Sequence, residues 1–176
     1  DLKKPFPPFQ GHAVINSMQI DQLGHQLGQA FMTTTTGTMQ GRLDFQGAGL
    51  DGQTIKESLN AKAVWSVADG RIQSTETTRT IASLTGLPEM DSIAFSNLNG
   101  KAKLLAGYSI EVNSSMHANQ FQATTHGTIS LQSDLNLPIT LTLSPLLSAK
   151  LTNPAPSDSY RVNDAGEIVL NLKVRG

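Results

Sequence analysis

The chain has 176 residues, a formal net charge of −1 and no cysteine. Disulfides, thiolate metal sites and cysteine nucleophiles are therefore excluded, and no global field draws the chain to DNA, RNA or an anionic membrane. Charged residues make up 15%, below the roughly 25% typical of globular domains. The polar remainder is largely Thr, Ser, Gln, Asn and Gly, which suits a sheet with an uncharged polar outer face. No apolar run reaches the roughly 18–20 residues of a spanning helix, and no signal peptide opens the chain. Asp1 follows no Met, so the expectation is a processed chain or an excised piece, with any anchor outside it.

Residues 1–10, DLKKPFPPFQ, hold three prolines and read as an extended linker before a folded region at 11–176. Residues 12–20 follow as a strand, with Val14, Met18 and Ile20 on one face. Asp21 then caps a short helix carrying Leu23, Leu27 and Phe31 at helical spacing. Residues 38–47 alternate cleanly, with Met39, Leu43 and Phe45 opposed to Gln40, Arg42, Asp44 and Gln46, as in a half-buried antiparallel strand. Residues 51–60 form a short helix with Ile55 and Leu59 on one face. Residues 61–67 form a strand with Trp65 and Val67 inward, and Asp69-Gly70 turns it back. A third helix covers 75–85, with Ile81 and Leu84 as core, Gly86 in the left-handed terminal position and Pro88 as a stop.

Longer strands come next. In residues 91–103, Ile93 and Phe95 are out of phase with Leu98, Ala102 and Leu104, which predicts a bulge near Asn97. Residues 108–116 place Ile110 and Val112 inward. Residues 120–132 point Phe121, Ala123, Ile129 and Leu131 inward and Gln122, Thr124, His126, Thr128 and Ser130 outward. Residues 134–143 repeat the pattern, and Pro138 on their polar face predicts an edge position. Ser144-Pro145 starts a short helix. Residues 160–162 and 167–174 close the chain as a hairpin about Asp164-Ala165-Gly166. The expected fold is mainly β: a long, curved antiparallel meander with a few short helices and one apolar face.

Motifs for chemistry are weak. Gly47, Gly49 and Gly52 spell GxGxxG, but the preceding strand is not buried on both faces, so a turn explains them better than a nucleotide site. His12, His25, His117 and His126 show no metal-ligand spacing. The carboxylates are scattered, and no nucleophile elbow occurs. Lys62, Lys101 and Lys103 form the nearest thing to a basic cluster and read as a solvated strand face. No catalytic residue, metal ligand or cofactor is expected.

Within residues 41–151 the order of features is distinctive. GRLDFQGAG leads through a helix into SLNAKAVWSVADGRI. A helix ending TGLPEM precedes FSNLNGKAKL, then YSIEV, FQATTHGTISLQSDL and LPITLTLSPLLSAKL. This series resembles the AsmA-like C-terminal region of bacterial envelope proteins, with Ala61 standing where that family usually has Gly. The resemblance implies a non-enzymatic periplasmic domain of a protein anchored in the inner membrane. It is similar to the bridge-like lipid-transfer proteins, whose curled sheets guide acyl chains along an apolar groove. The implied role is phospholipid transport between inner and outer membranes, or outer-membrane assembly. The partners would be phospholipid or another acyl-chain lipid and other envelope proteins, with no nucleic acid. Leu104, Ile129, Leu131, Leu137, Ile139 and Leu141 are the groove candidates. Three other readings stay open: the same residues as plain core, the sheet as a structural or interaction module of an envelope or secretion assembly, and an enzyme or carbohydrate binder, which would need a pocket with convergent polar groups and a perturbed carboxylate.

Overall fold

Alternating apolar and polar residues over long runs can bury half their side chains only as strands sharing one sheet face. The computed structural model describes residues 7–22, 34–105, 108–130, 135–151 and 160–175, and it has this architecture. The strands are β1 (Pro8–Gln19), β2 (Thr35–Ala48), β3 (Asn60–Ile72), β4 (Ile93–Leu105), β5 (Ser109–Ala118), β6 (Phe121–Ser130), β7 (Leu135–Leu143), β8 (Tyr160–Val162) and β9 (Ile168–Arg175). They form one antiparallel sheet of nine strands in the order β1-β2-β3-β4-β5-β6-β7-β9-β8. The sheet is not closed: β1 and β8 are its edges.

Helices that interrupt the meander include α1 (Gly52–Ser58), α2 (Glu76–Thr85) and α3 (Pro145–Ser148). The Asp51 carboxylate caps α1 by accepting from the Gln53 and Thr54 amides, both at 3.0 Å. Thr75 and Thr78 cap α2 reciprocally, which satisfies two amides that a helix start leaves free. Gly86 ends α2 with φ +67°, and a 3-10 turn (Pro88–Met90) leads into β4. Ser144 caps α3, accepting from the Leu147 amide at 3.3 Å.

The register builds unbroken rows across the sheet. Met18, Met39, Val67, Leu98, Met116, Ala123, Leu141, Leu170 and Tyr160 lie side by side from β1 to β8. On the opposite face Gln40, Ser66, Asn99, Ser115, Thr124, Thr140 and Asn171 form a row of uncharged polar side chains. That is the amphipathic sheet expected from composition.

Several local expectations are corrected. Pro8, Phe9 and Gln10, placed in the linker, already pair with β2; a proline opening an edge strand forfeits no ladder bond. Val14 faces the polar side, 53% exposed, because a bulge between Ile15 and Met18, with Ser17 at φ +51°, shifts the alternation by one. Asp69-Gly70 does not turn. β3 runs through it as a bulge: Asp69, at φ +50°, and Gly70 together oppose the single residue Gly37 of β2. Pro138 is not at an edge, since β7 pairs with both β6 and β9. Its ring fits in a central strand because Gly127 faces it: a Cβ there would lie 3.0 Å from the proline Cδ. The bulge predicted near Asn97 is present, between Phe95 and Asn97 against β5. The helix expected around Leu23, Leu27 and Phe31 and the site residue Leu131 lie outside the described residues.

Candidate functional site

Buried apolar side chains gather at one end of the apolar face. Leu87 and Met90, just past α2, and Leu147 of α3 pack on Leu141, Leu143 and Leu170. Beside them Ile20, Val67, Ile93, Phe95 and Met116 form a second cluster. Cross-links hold α3 in place: the Ser148 hydroxyl accepts from the Ile168 amide at 3.0 Å, and Lys150 pairs with Glu89 at 2.7 Å. That lysine holds the Glu89 carboxyl below its usual range.

Between α2 and the sheet the two clusters leave a cleft of about 440 Å³, within the roughly 300–1,000 Å³ of small-molecule sites. Ile81 and Met90 form its roof, and Met116, Ala123, Ile139 and Leu172 are part of its floor. Its polar members include Thr75 and Thr78, whose hydroxyls are engaged in the α2 cap. Such a lining holds an apolar chain by burial and offers no convergent acid, base or nucleophile.

Beyond the cleft the apolar face continues along the strands without a described helix above it. Ile15, Trp65, Ile139 and Leu172 form the next row, and Leu43, Ala63, Ala102, Val112 and Leu137 the one after. Phe45, Ala61, Leu104, Ile110 and Ile129 come last. None of these side chains is buried, and Leu43 is 39% exposed. Aromatic rings here face glycines across the strands: Phe9 on Gly47, Phe45 on Gly11, Trp65 on Gly100 and, nearer the helices, Phe95 on Gly70. A Cβ at any of these glycines would run into the ring. Each ring therefore lies flat on backbone instead of standing off the sheet, and the face stays low and smooth.

The groove candidates occupy one continuous stripe. Leu104 and Ile129 flank Ile110 in the last row, and Leu137, Ile139 and Leu141 step along β7 toward the helices. Leu141, 4% exposed, belongs to the core as well as to the cleft wall. Sequence reasoning named Ile81 only as helix core and did not single out the cleft residues Met90, Met116 and Leu172. A signal was available: Met18, Met39, Met90 and Met116, four of the five methionines, all belong to this side of the sheet, and methionine suits surfaces that adapt to variable apolar partners.

On the polar face, Arg42 donates to the Asp44 carboxylate at 2.7–3.0 Å and holds its pKa down. Hydrogen bonds from Thr54 hold Asp51 down likewise. Among the described residues no group of three potential metal ligands occurs, and no helix is long and apolar enough to cross a membrane. No protein-family model, curated protein or solved structure matches the chain.

Proposed function

We propose that this chain is a non-enzymatic domain that binds acyl chains of phospholipid along its apolar sheet face. In this reading it acts in the bacterial periplasm, within a protein anchored in the inner membrane. There it supports phospholipid movement between the membranes or outer-membrane assembly, as the AsmA-like resemblance implies. The observation that carries the reading is the apolar cleft under α2, continuous with rows of half-buried apolar side chains that no described helix covers. An acyl chain gains about 0.8 kcal/mol per methylene removed from water, so about ten methylenes against this surface supply about 8 kcal/mol before ordering costs. No catalytic group is needed.

A photoreactive residue in place of Leu104, Ile129 or Ile139 tests this, with Gln122 and Thr128 as outward controls. Incubated with phospholipid vesicles, the inward positions alone should yield lipid adducts. Equal labelling at inward and outward positions, or none, would remove the acyl path. The second reading, a structural or interaction module, is favoured by one feature. β1 is a 12-residue edge strand with no Lys, Arg, Asp or Glu to discourage strand addition. Protein adducts at β1 without lipid adducts inside would move the conclusion there.

A further inference from the structure

The polar face holds a second concavity, and nothing in the acyl-chain reading uses it. A trough of about 650 Å³ lies over β1–β4, at the end of the strands farthest from α2. Its lining brings together the Gln10 and Gln46 amides, the His12 imidazole, the Asp44 carboxylate and the Lys62 and Lys103 ammonium groups, with Phe45 and the groove candidate Leu104 also at its wall; the Asn60 amide there already donates to the Ser58 carbonyl at 2.9 Å. We infer that this trough binds a phosphate-bearing ligand through Lys62 and Lys103.

The charge arrangement carries the inference. His12, Asp44, Lys62, Lys103 and Glu111 follow one another across five strands in one row. Lys62 and Lys103 are direct cross-strand partners, and Lys101 lies two residues along the same face. Like charges directly opposite destabilise a sheet. The next-but-one row, from Gln40 to Asn171, stays solvated without any charge, so solubility does not require the pair. Asp44, opposite Lys62, is engaged by Arg42 in an ion pair at 2.7 Å and also feels the Lys62 charge, and Glu111 lies opposite Lys103, so each lysine has one carboxylate neighbour and one lysine neighbour in the row. Among the described residues Lys62, Lys101 and Lys103 make no ion pair or hydrogen bond of their own. Two ammonium groups beside amide donors match a tetrahedral oxyanion. Bases of a nucleic acid would want several aromatic platforms, and Phe45 is the one aromatic residue in the lining of the trough. The phosphate belongs either to a lipid headgroup or to a free phosphorylated small molecule, and the test separates the two.

The intact chain is titrated with sn-glycerol 3-phosphate while backbone amide resonances are followed. In parallel it is sedimented with phosphatidylcholine vesicles with and without phosphatidylglycerol. The variants are Lys62→Gln/Lys103→Gln and, as a control outside the trough, Lys150→Gln. Shifts at Gln10, His12, Lys62 and Lys103 with glycerol phosphate, lost in the double variant, identify a free phosphorylated ligand. Sedimentation only with phosphatidylglycerol, about 30-fold weaker in the double variant at the usual worth of a lysine near an anionic surface, identifies a headgroup. Both should weaken with salt. Removing the like-charge pair should hold or raise Tm, so a binding loss is not unfolding. Binding in neither arm, or equal binding by wild type and double variant, overturns the site. Neither result bears on the opposite, apolar face.

Discussion

Ala123→Phe asks whether the cleft under α2 is room for a ligand or a packed core seen edge-on. Ala123 is the smallest side chain in its row, between Met116 and Leu141, which are 8% and 4% exposed. It is half-buried and forms part of the cleft wall. If the cleft has room, a phenylalanine ring enters it and gains burial. Cavity filling of this kind typically adds about 0.5–2 kcal/mol, and for a chain of this length each kcal/mol moves Tm by about 2–4 °C. If the side chains are tightly packed, the same ring overpacks and costs about 1–3 kcal/mol. The sign of the Tm change therefore reads the space directly. The functional arm has its own magnitude. A ring displacing about three methylenes of acyl chain removes about 2.4 kcal/mol of burial, or about 60-fold in affinity. Thermal melts and displacement of a fluorescent fatty acid measure the two arms. A raised Tm with weakened acyl binding is expected. A lowered Tm with unchanged acyl binding would refute the reasoning, because Ala123 would then be plain core and the ligand elsewhere.

Gly100→Ala should lift the ring of Trp65, the only tryptophan, off the backbone it covers; destabilisation of about 1–3 kcal/mol and a shift in tryptophan emission are expected, and unchanged emission would show that the ring does not need the glycine. Amide hydrogen exchange should be slower at the Val67 end of β3 than at its Lys62 end, since only the former sits in a buried cluster and opening is easiest where buried contacts are few; uniform protection along β3 would contradict this. The Asp51 pKa is depressed by hydrogen bonds from Thr54, so its charge stabilises the fold above its unfolded value and that stability is lost as pH falls through the folded pKa. Asp51→Asn keeps the capping oxygen and loses the charge, so its Tm deficit should be full at neutral pH, begin to shrink only near the ordinary carboxylate pKa of about 4 and vanish below the depressed folded value; a deficit independent of pH would mean that the charge contributes nothing.

Strand alternation was readable wherever the period of two ran unbroken. Residues 38–47 are the plain case: Met39, Leu43 and Phe45 all lie on the apolar face. Helix ends were equally readable, because caps are local chemistry: Asp51, Thr75, Gly86 and Ser144 act where their side chains or backbones predict. Errors came where non-local partners decide. Asp69-Gly70 has the local character of a turn, yet β3 already has β2 and β4 on its two sides, and continuing the ladder outweighs reversing. Pro138 would break a central strand unless its neighbour were glycine, and Gly127 is a neighbour only once β6 and β7 are paired. The cleft was illegible for the same reason. Ile81 on α2 and Leu172 on β9 come to line one cleft only through the tertiary placement of the helix.

Simple dimensions explain why the apolar face has two regimes. β3 and β4 have 13 residues each, about 43 Å at 3.3 Å per residue, and nine strands about 4.8 Å apart span about 38 Å. α2 has ten residues, about 15 Å at 1.5 Å per residue, with a diameter of about 10 Å; α3 has four. The described helices can roof one end of such a sheet and no more. A globular protein would shorten the strands to match. This chain keeps them long, lays Phe9, Phe45 and Trp65 flat on facing glycines, and fills the remaining positions with small or branched apolar side chains. Among the described residues no second layer lies over this end, and its own rings give it partial burial. A shallow apolar track, polar on its back and roofed at one end among the described residues, is the geometry that the proposed acyl-chain path needs, and the photocrosslinking contrast between its inward and outward positions decides between that path and plain core.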